Sequence, residues 1–355
     1  MRTPLLSILF VTVILVSSTL ASTTLKVNNS GVVSGPLVGK WFDYVVVIMM
    51  ENHSINNTYG ISVLPNNWNS NSKTCLGNCT YYDSFANSNG LAEEYTVGGI
   101  TGCSLGCYIA ITSGYANTPQ PCNSGPSGSG CLLPIPNIVD RLESARLSWK
   151  AYMEDYPTPS GCNNDFVGNY EPNHNPFIYY ADIQNNATRC SHIVTANATP
   201  QPQNSTCWPT AVQNDNLFLN SLNSPSTASN YTFLTPNRID DNHDCNDVSI
   251  GNAWLNSIIP QILGSPLFRT KRAALFVTFD EQGCTNSFPP CPSSIPELYS
   301  VWASNPVNHT TKAGFKSVNS YTHFNPLRTI EDNWNLPPLI PSTDGSAVNM
   351  QEFFG

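Results

Sequence analysis

Five clusters of polar side chains hold the residue types that bind cations or activate a hydroxyl. The first is Glu51-Asn52-His53-Ser54, which follows the apolar run Tyr44–Met50 without a break. The second is Ser104, at the head of an apolar stretch that ends at Gly114. A serine at a helix start faces free backbone N–H groups, where a phosphate settles; an ordinary N-cap is the competing reading. The third is Asp240-Asp241-Asn242-His243-Asp244, after the run Tyr231–Leu234. Carboxylates beside an imidazole suit a divalent cation, although Asp/Asn turns are also common. The fourth is the pair Asp280-Glu281, which ends the run Ala273–Phe279, and the fifth is His323. Acids, a serine and histidines in this order match the needs of a metallo-phosphoesterase, in which a cation makes a hydroxyl nucleophilic near neutral pH.

These groups need elements to gather them. The runs at 44–50, 148–153, 231–234 and 273–279 read as strands. The serine stretch reads as a short helix closed by Gly114. Helical spacing of apolar residues appears over 135–146, 247–263 and 321–334. Strands alternating with helices predict an α/β fold, a mostly parallel central sheet with helices on both faces. In such sheets ligand sites lie beyond the carboxyl ends of the strands, where two of these runs end in acids. The stretches 119–130 and 184–210, rich in Pro, Asn, Ser or Thr, read as glycosylated surface insertions.

Composition sets the surroundings. Arg2, the apolar run Leu5–Val16 and the exit Thr19-Leu20-Ala21 read as a signal peptide (1–21) cut after Ala21, with an uncleaved anchor as the alternative. A segment 22–40 and a single domain 41–355 follow, with no later stretch apolar enough to span a membrane. The chain is expected to be secreted or held at the cell surface. Charged residues make up 11%, and the net charge is −9 with scattered Lys and Arg, which argues against nucleic acid as a partner. Sequons begin at Asn28, Asn56, Asn78, Asn186, Asn197, Asn204, Asn230 and Asn308; Asn52 also fits, but is expected in the site and bare. Twelve cysteines in a secreted chain read as disulfides rather than a zinc site. Close spacing suggests 75–79, 103–107, 122–131 and 284–291. Cys162, Cys190, Cys207 and Cys245 allow three pairings.

The chain resembles the secreted phosphoesterase family of acid phosphatases and non-haemolytic phospholipases C, within the alkaline phosphatase superfamily. The resemblance runs from about Phe42 to Leu339. It is carried in order by Val46–Ser54, Ser104–Gly114, Asn137–Leu142 with Ser148–Asp155, His174–Phe177, Asp241–Asp244 with Ala253–Leu255, Val277–Glu281 and Tyr321–Asp332. It implies an alkaline-phosphatase-like fold. It places Ser104 at the nucleophile, Glu51 and Asn52 at metal or phosphate, and Asp280 and Glu281 at the metal-binding acid pair. Asp240 or Asp241, with His243 and His323, align with a second metal cluster, and His174 with a residue near the phosphate or leaving group, a general acid. Two departures stand out: Gly102 replaces a histidine two positions before the nucleophile, and Gly106-Cys107 replaces Pro-Asn.

The expected function is a metal-dependent, acid-phosphatase-like hydrolase of phosphate esters working through a phosphoserine on Ser104. Single-domain length and few basic residues favour this over a phospholipase C or another phosphodiesterase. The pI near 5.0 suggests an acidic optimum. A catalytically inactive glycoprotein of the same fold is the rival from another class, supported by Gly102 and Cys107. Mg²⁺, Ca²⁺, Mn²⁺ and Zn²⁺ all suit such ligands.

Overall fold

Apolar, β-branched runs too long to alternate must be buried on both faces, and this places them in the middle of a sheet. The computed structural model describes residues 37–63, 74–118, 122, 125–127, 130–199, 215–244, 248–282 and 296–355. Its strands are β1 (Tyr44–Met50), β2 (Ile61–Val63), β3 (Thr74–Leu76), β4 (Gly90–Thr96), β5 (Trp149–Met153), β6 (Ile193–Thr195), β7 (Tyr231–Thr235), β8 (Ala273–Phe279), β9 (Ser300–Ala303) and β10 (Lys316–Thr322). Eight of them form one sheet in the order β10-β4-β9-β8-β1-β7-β5-β6, and β2 pairs with β3 apart from it. Only β9 runs against its neighbours. Every residue of β8 is buried, as is every residue of β1 after Tyr44. The edge strand β10 instead buries Ser317 and Tyr321 and exposes most of the rest.

The central strands fall where the apolar runs predict, and the helix over Leu105–Ser113 closes at Gly114, whose φ is 73°. The helical spacings resolve as Ile138–Ser144, Ser249–Gly264 and Phe324–Asn333. The third is shorter than its pattern because Lys316–Thr322 is strand. Strands β4, β9 and β10 carry polar or short sequences and had no apolar-run signal. The helix Leu105–Ser113 packs on Phe324–Asn333, and Thr80–Ser88 on Ser249–Gly264. Residues Leu37–Gly355 form one compact unit, and no described helix is long and apolar enough to cross a membrane.

Parts of both stretches expected as surface insertions fall among the described residues. The stretch 184–210 is not all insertion, because β6 is the last strand of the sheet and Asn197 is buried. The stretch 119–130 carries Cys122, buried and bonded to Cys131. Cys103–Cys107 is a disulfide, as expected, and the open pairing is settled in part by Cys162–Cys190. Cys79 is disulfide-bonded. Cys207, Cys245 and the expected pair 284–291 lie outside the described residues, as do the expected signal peptide and the sequons at Asn28 and Asn204.

Candidate active site

Strand β1 pairs with β8 in parallel, with Met50 opposite Phe279. Glu51 and Asp280 therefore leave adjacent strands side by side. Asn52 turns the chain here, with φ 59°, and its N–H donates to Asp280 Oδ1 at 2.9 Å. On the other side of β1, the Glu51 N–H donates to the Asp241 carbonyl at 2.9 Å. This bond draws the loop after β7 to the same sheet end.

Ser104 sits at the head of its helix, yet its side chain makes no capping bond. Its Oγ–H instead donates to Glu51 Oε2 at 2.9 Å, in a setting where Ser104 is 7% exposed and Glu51 fully buried. The helix reaches this place because Gly106 lies against the chain at Thr101: a Cβ there would stand 2.2 Å from the Thr101 carbonyl oxygen. The Cys103–Cys107 disulfide spans the same turn.

His174 completes the inner wall. Its Nε2 lies 3.4 Å from Glu51 Oε1 and its Nδ1 lies 3.2 Å from Asp241 Oδ2. Its ring stacks on Tyr108, with centroids 5.5 Å apart and the rings nearly parallel. His243 lies nearer solvent, 5.2 Å from the His174 ring, and its Nδ1 is 2.8 Å from Asp244 Oδ1. Glu51, His174 and His243 each offer one ligand atom, all within 4.8 Å of one another.

The electrostatics of this cluster are unfavourable as it stands. Burial, then Asp280 and Asp241, push the Glu51 carboxyl well above the usual range. Asp241 is also pushed well up, chiefly by burial, and burial raises Asp280 to about 6. Glu281 is raised to about 8 by burial and by Asp280. Burial holds His174 well below the ordinary imidazole value, with His243 and Arg238 adding to it. For His243 burial acts downward, but the bond and charge of Asp244 outweigh it and the net shift is upward. Glu51 Oε1, Asp241 Oδ2, Asp280 Oδ2 and both His174 nitrogens are buried without a hydrogen-bond partner. Buried polar atoms are rarely left so, and several converging orphans fit a cation in their midst.

The structure separates some candidates. Asp241 faces Glu51 and Asp280, whereas its neighbour Asp240 joins Glu154 and Asp155, bonded to Asn237. A left-handed turn at Asn242 follows the two aspartates. His323 is buried beneath the site: its Nε2–H donates to the Asp280 carbonyl at 2.5 Å, and Tyr95 OH donates to its Nδ1 at 3.0 Å. Both nitrogens are spent on the protein, so it braces Asp280 from behind. Glu281 is set on the flank of the cluster, along a cleft that Gly102 and Cys103 also line. Two contributors were given no role of their own in the sequence. Tyr108 stands four residues after Ser104, one helical turn on. Asp244 follows His243 directly, and acid next to histidine was its available signal.

The chain, a mostly parallel sheet with acids and a helix-borne serine at its carboxyl end, shares its fold with solved structures of low sequence identity. Among them, a protein in the alkaline phosphatase superfamily from Vibrio parahaemolyticus superposes with a TM-score of 0.56 at 10% identity, covering 89% of this chain and 72% of that one. Ps i-CgsB gives a TM-score of 0.52 at 9% identity, covering 87% and 75%. A family model described as the phosphoesterase family matches residues 66–337, and the chain belongs to that family. Curated relatives include an acid phosphatase of Aspergillus fumigatus, 26% identical over 58% of this chain and 40% of that protein. A probable acid phosphatase of Kluyveromyces lactis is 27% identical over 58% of this chain and 43% of its own length. The matched region thus spans less than half the length of these relatives.

Proposed function

We propose that the chain is a secreted, metal-dependent phosphomonoesterase of the acid-phosphatase type, working through a phosphoserine on Ser104. The observation that carries this reading is the bond from Ser104 Oγ to Glu51 Oε2 at 2.9 Å, inside a ring of orphaned acid and imidazole atoms. The family and the names of the fungal relatives support the phosphate-ester chemistry. The signal-like leader and the disulfides support export.

The donor set fits a divalent cation. Glu51, Asp241, Asp280, His174 and His243 would hold it, with Asn52 and Glu281 at its margin. A bound cation would lower the pKa of the serine hydroxyl and offset phosphate charge. The Asp244 carboxylate accepts from His243 Nδ1–H and leaves Nε2 free as a ligand, the usual arrangement around metal-bound imidazole. Glu51 orients Ser104 Oγ, and as the Ser104 oxygen attacks phosphorus its O–H bond breaks and Glu51 Oε2 takes the proton. The bond from phosphorus to the leaving oxygen then breaks, and that oxygen takes a proton from water. Water later cleaves the phosphoserine. His174, neutral and shut from solvent, keeps Glu51 and Asp241 apart. The test is hydrolysis of a phosphomonoester, a phosphodiester and phosphatidylcholine by wild type and Ser104→Ala, each with and without chelator, together with metal analysis. Ser104-dependent, chelator-sensitive turnover of the monoester supports the reading. Preference for either diester would move it to a phosphodiesterase or phospholipase C, and undiminished turnover by Ser104→Ala would refute it.

A further inference from the structure

Beside the reactive serine lies a cleft of about 580 Å³. Cys103 and Glu281 line it, and these are the chain neighbours of Ser104 and Asp280. Its volume lies in the range that encloses a small organic ligand. Val97 and Ile100 give it aliphatic wall, and Gly102 contributes backbone only. Gly102 stands where the family resemblance expects a histidine, so this chain has open space there instead of an imidazole.

The polar groups of the cleft are as informative as its shape. Glu281 lines it, together with Gln282, whose Oε1 is buried and without a hydrogen-bond partner. No Lys or Arg is among the described lining residues. Glu297, another acid, bridges to the lining residue Thr96. Arg238, the cation felt by His174, is engaged by Asp244 at 3.0 Å and Glu171 at 3.9 Å. An anionic group carried into such a cleft would be desolvated without an opposite charge. A hydroxyl would meet acceptors instead.

We infer that this cleft receives the leaving group, and that it selects monoesters of small uncharged, hydroxyl-bearing alcohols over esters whose alcohol carries a second anionic group. The inference rests on the phosphatase reading of the same site and narrows its substrate class. Phosphate itself is held at the serine cluster. The alcohol lies along Val97, Ile100 and the disulfide, with a hydroxyl donating to Gln282 Oε1.

A matched pair of esters tests this. Glycerol 2-phosphate and 2-phosphoglycerate are alike in size, and the second differs by a carboxylate in the leaving alcohol. For the metal-loaded full chain, kcat/KM is expected to be at least about tenfold higher for glycerol 2-phosphate. Gln282→Lys and, separately, Val97→Lys place a cation on the cleft wall, and each is expected to shrink that ratio several-fold. Equal or better turnover of 2-phosphoglycerate, or a ratio that neither variant moves, would overturn the inference and leave the phosphatase reading intact. Phosphocholine turned over tenfold better than glycerol 2-phosphate would also overturn it, by showing a preference for cationic alcohols. No Ser104-dependent turnover of any of these esters would remove the phosphatase reading and the inference together.

Discussion

The N–H of Asn52 donates to Asp280 Oδ1 at 2.9 Å, across 228 residues of sequence. It fixes one oxygen of Asp280 and leaves the other, Oδ2, buried and unpaired beside Glu51. The same carboxylate is braced from behind by His323 on its main-chain carbonyl. Asp280→Asn keeps the shape and removes the charge. We expect it to lower kcat/KM by about 10²–10³, the scale of losing one preorganised electrostatic group, with far-UV circular dichroism unchanged. Wild-type kinetics in this variant would mean that Asp280 holds nothing.

Ser104→Ala should be more severe. Loss of a nucleophile removes the covalent path altogether, and a fall of at least about 10³ in kcat is expected. Intact-mass measurement after an acid quench should show a phosphorylated adduct in wild type and none in the variant. An adduct that survives the substitution would place the nucleophile elsewhere.

Stability should depend on pH in a direction set by the crowded acids. Asp280 and Glu281 are raised to about 6 and about 8, above the ordinary carboxylate range near ~4. Between about pH 4 and 8 the native state of the metal-free protein therefore keeps protons that the unfolded chain releases. The stability these two carboxyls contribute is fully present below about pH 4 and is lost as pH rises through that window. Tm measured in chelator from about pH 6.5 to 8.5, above the range in which unfolding lets the buried His174 take up a proton, should fall, and added divalent cation should flatten the trend. A metal-free Tm that climbs over this range would contradict the crowding. Glu51→Gln, which removes one of the crowded carboxyls, should raise the metal-free Tm at the alkaline end of the range while abolishing activity.

Asp244 should act through His243. Asp244→Ala removes the acceptor at 2.8 Å from Nδ1 and frees the ring to change tautomer. Metal affinity should weaken about 10–100-fold, read by competition with a chelating dye. Asp244→Asn, which can still accept, should recover part of it. Equal affinities in all three proteins would exclude the role.

Gly106→Ala should be costly although the change is one methyl. Its Cβ would meet the Thr101 carbonyl at 2.2 Å, and this backbone contact cannot swing aside. A loss of about 1–3 kcal/mol is expected from such overpacking, seen as a lower urea midpoint, together with slower turnover as Ser104 shifts.

Sugar attachment should follow exposure rather than motif. Asn186 is exposed, whereas Asn197 is buried and its amide donates to Asp155 Oδ1 at 2.8 Å. Asn56 is buried too. In a glycosylating host, peptide mapping should find Asn186 modified and Asn197 and Asn56 bare.

Much of this was legible in the sequence. Runs such as Tyr44–Met50 and Ala273–Phe279 announce central strands because only a doubly covered sheet can bury them. The acids that follow them mark the sheet's carboxyl end. Strands β4, β9 and β10 were not legible, since their residues are half polar and become strands only through their neighbours' unpaired backbone groups. Asp240 and Asp241 show the limit most sharply. Their side chains are of one type and adjacent, so no pattern separates them; the turn from Asn237 to Asn242 sends one to Glu154 and the other to Glu51.

The sequence by itself determined the inventory: a buried sheet, acids at strand ends, a serine before a helix, and cysteines close enough to pair. Only the tertiary structure decided which acids share a cavity, that His323 braces while His174 and His243 converge, and that Cys162 pairs with Cys190. Local preferences act over a few residues, whereas a site is a set of distances between chain segments far apart, fixed by strand order and register.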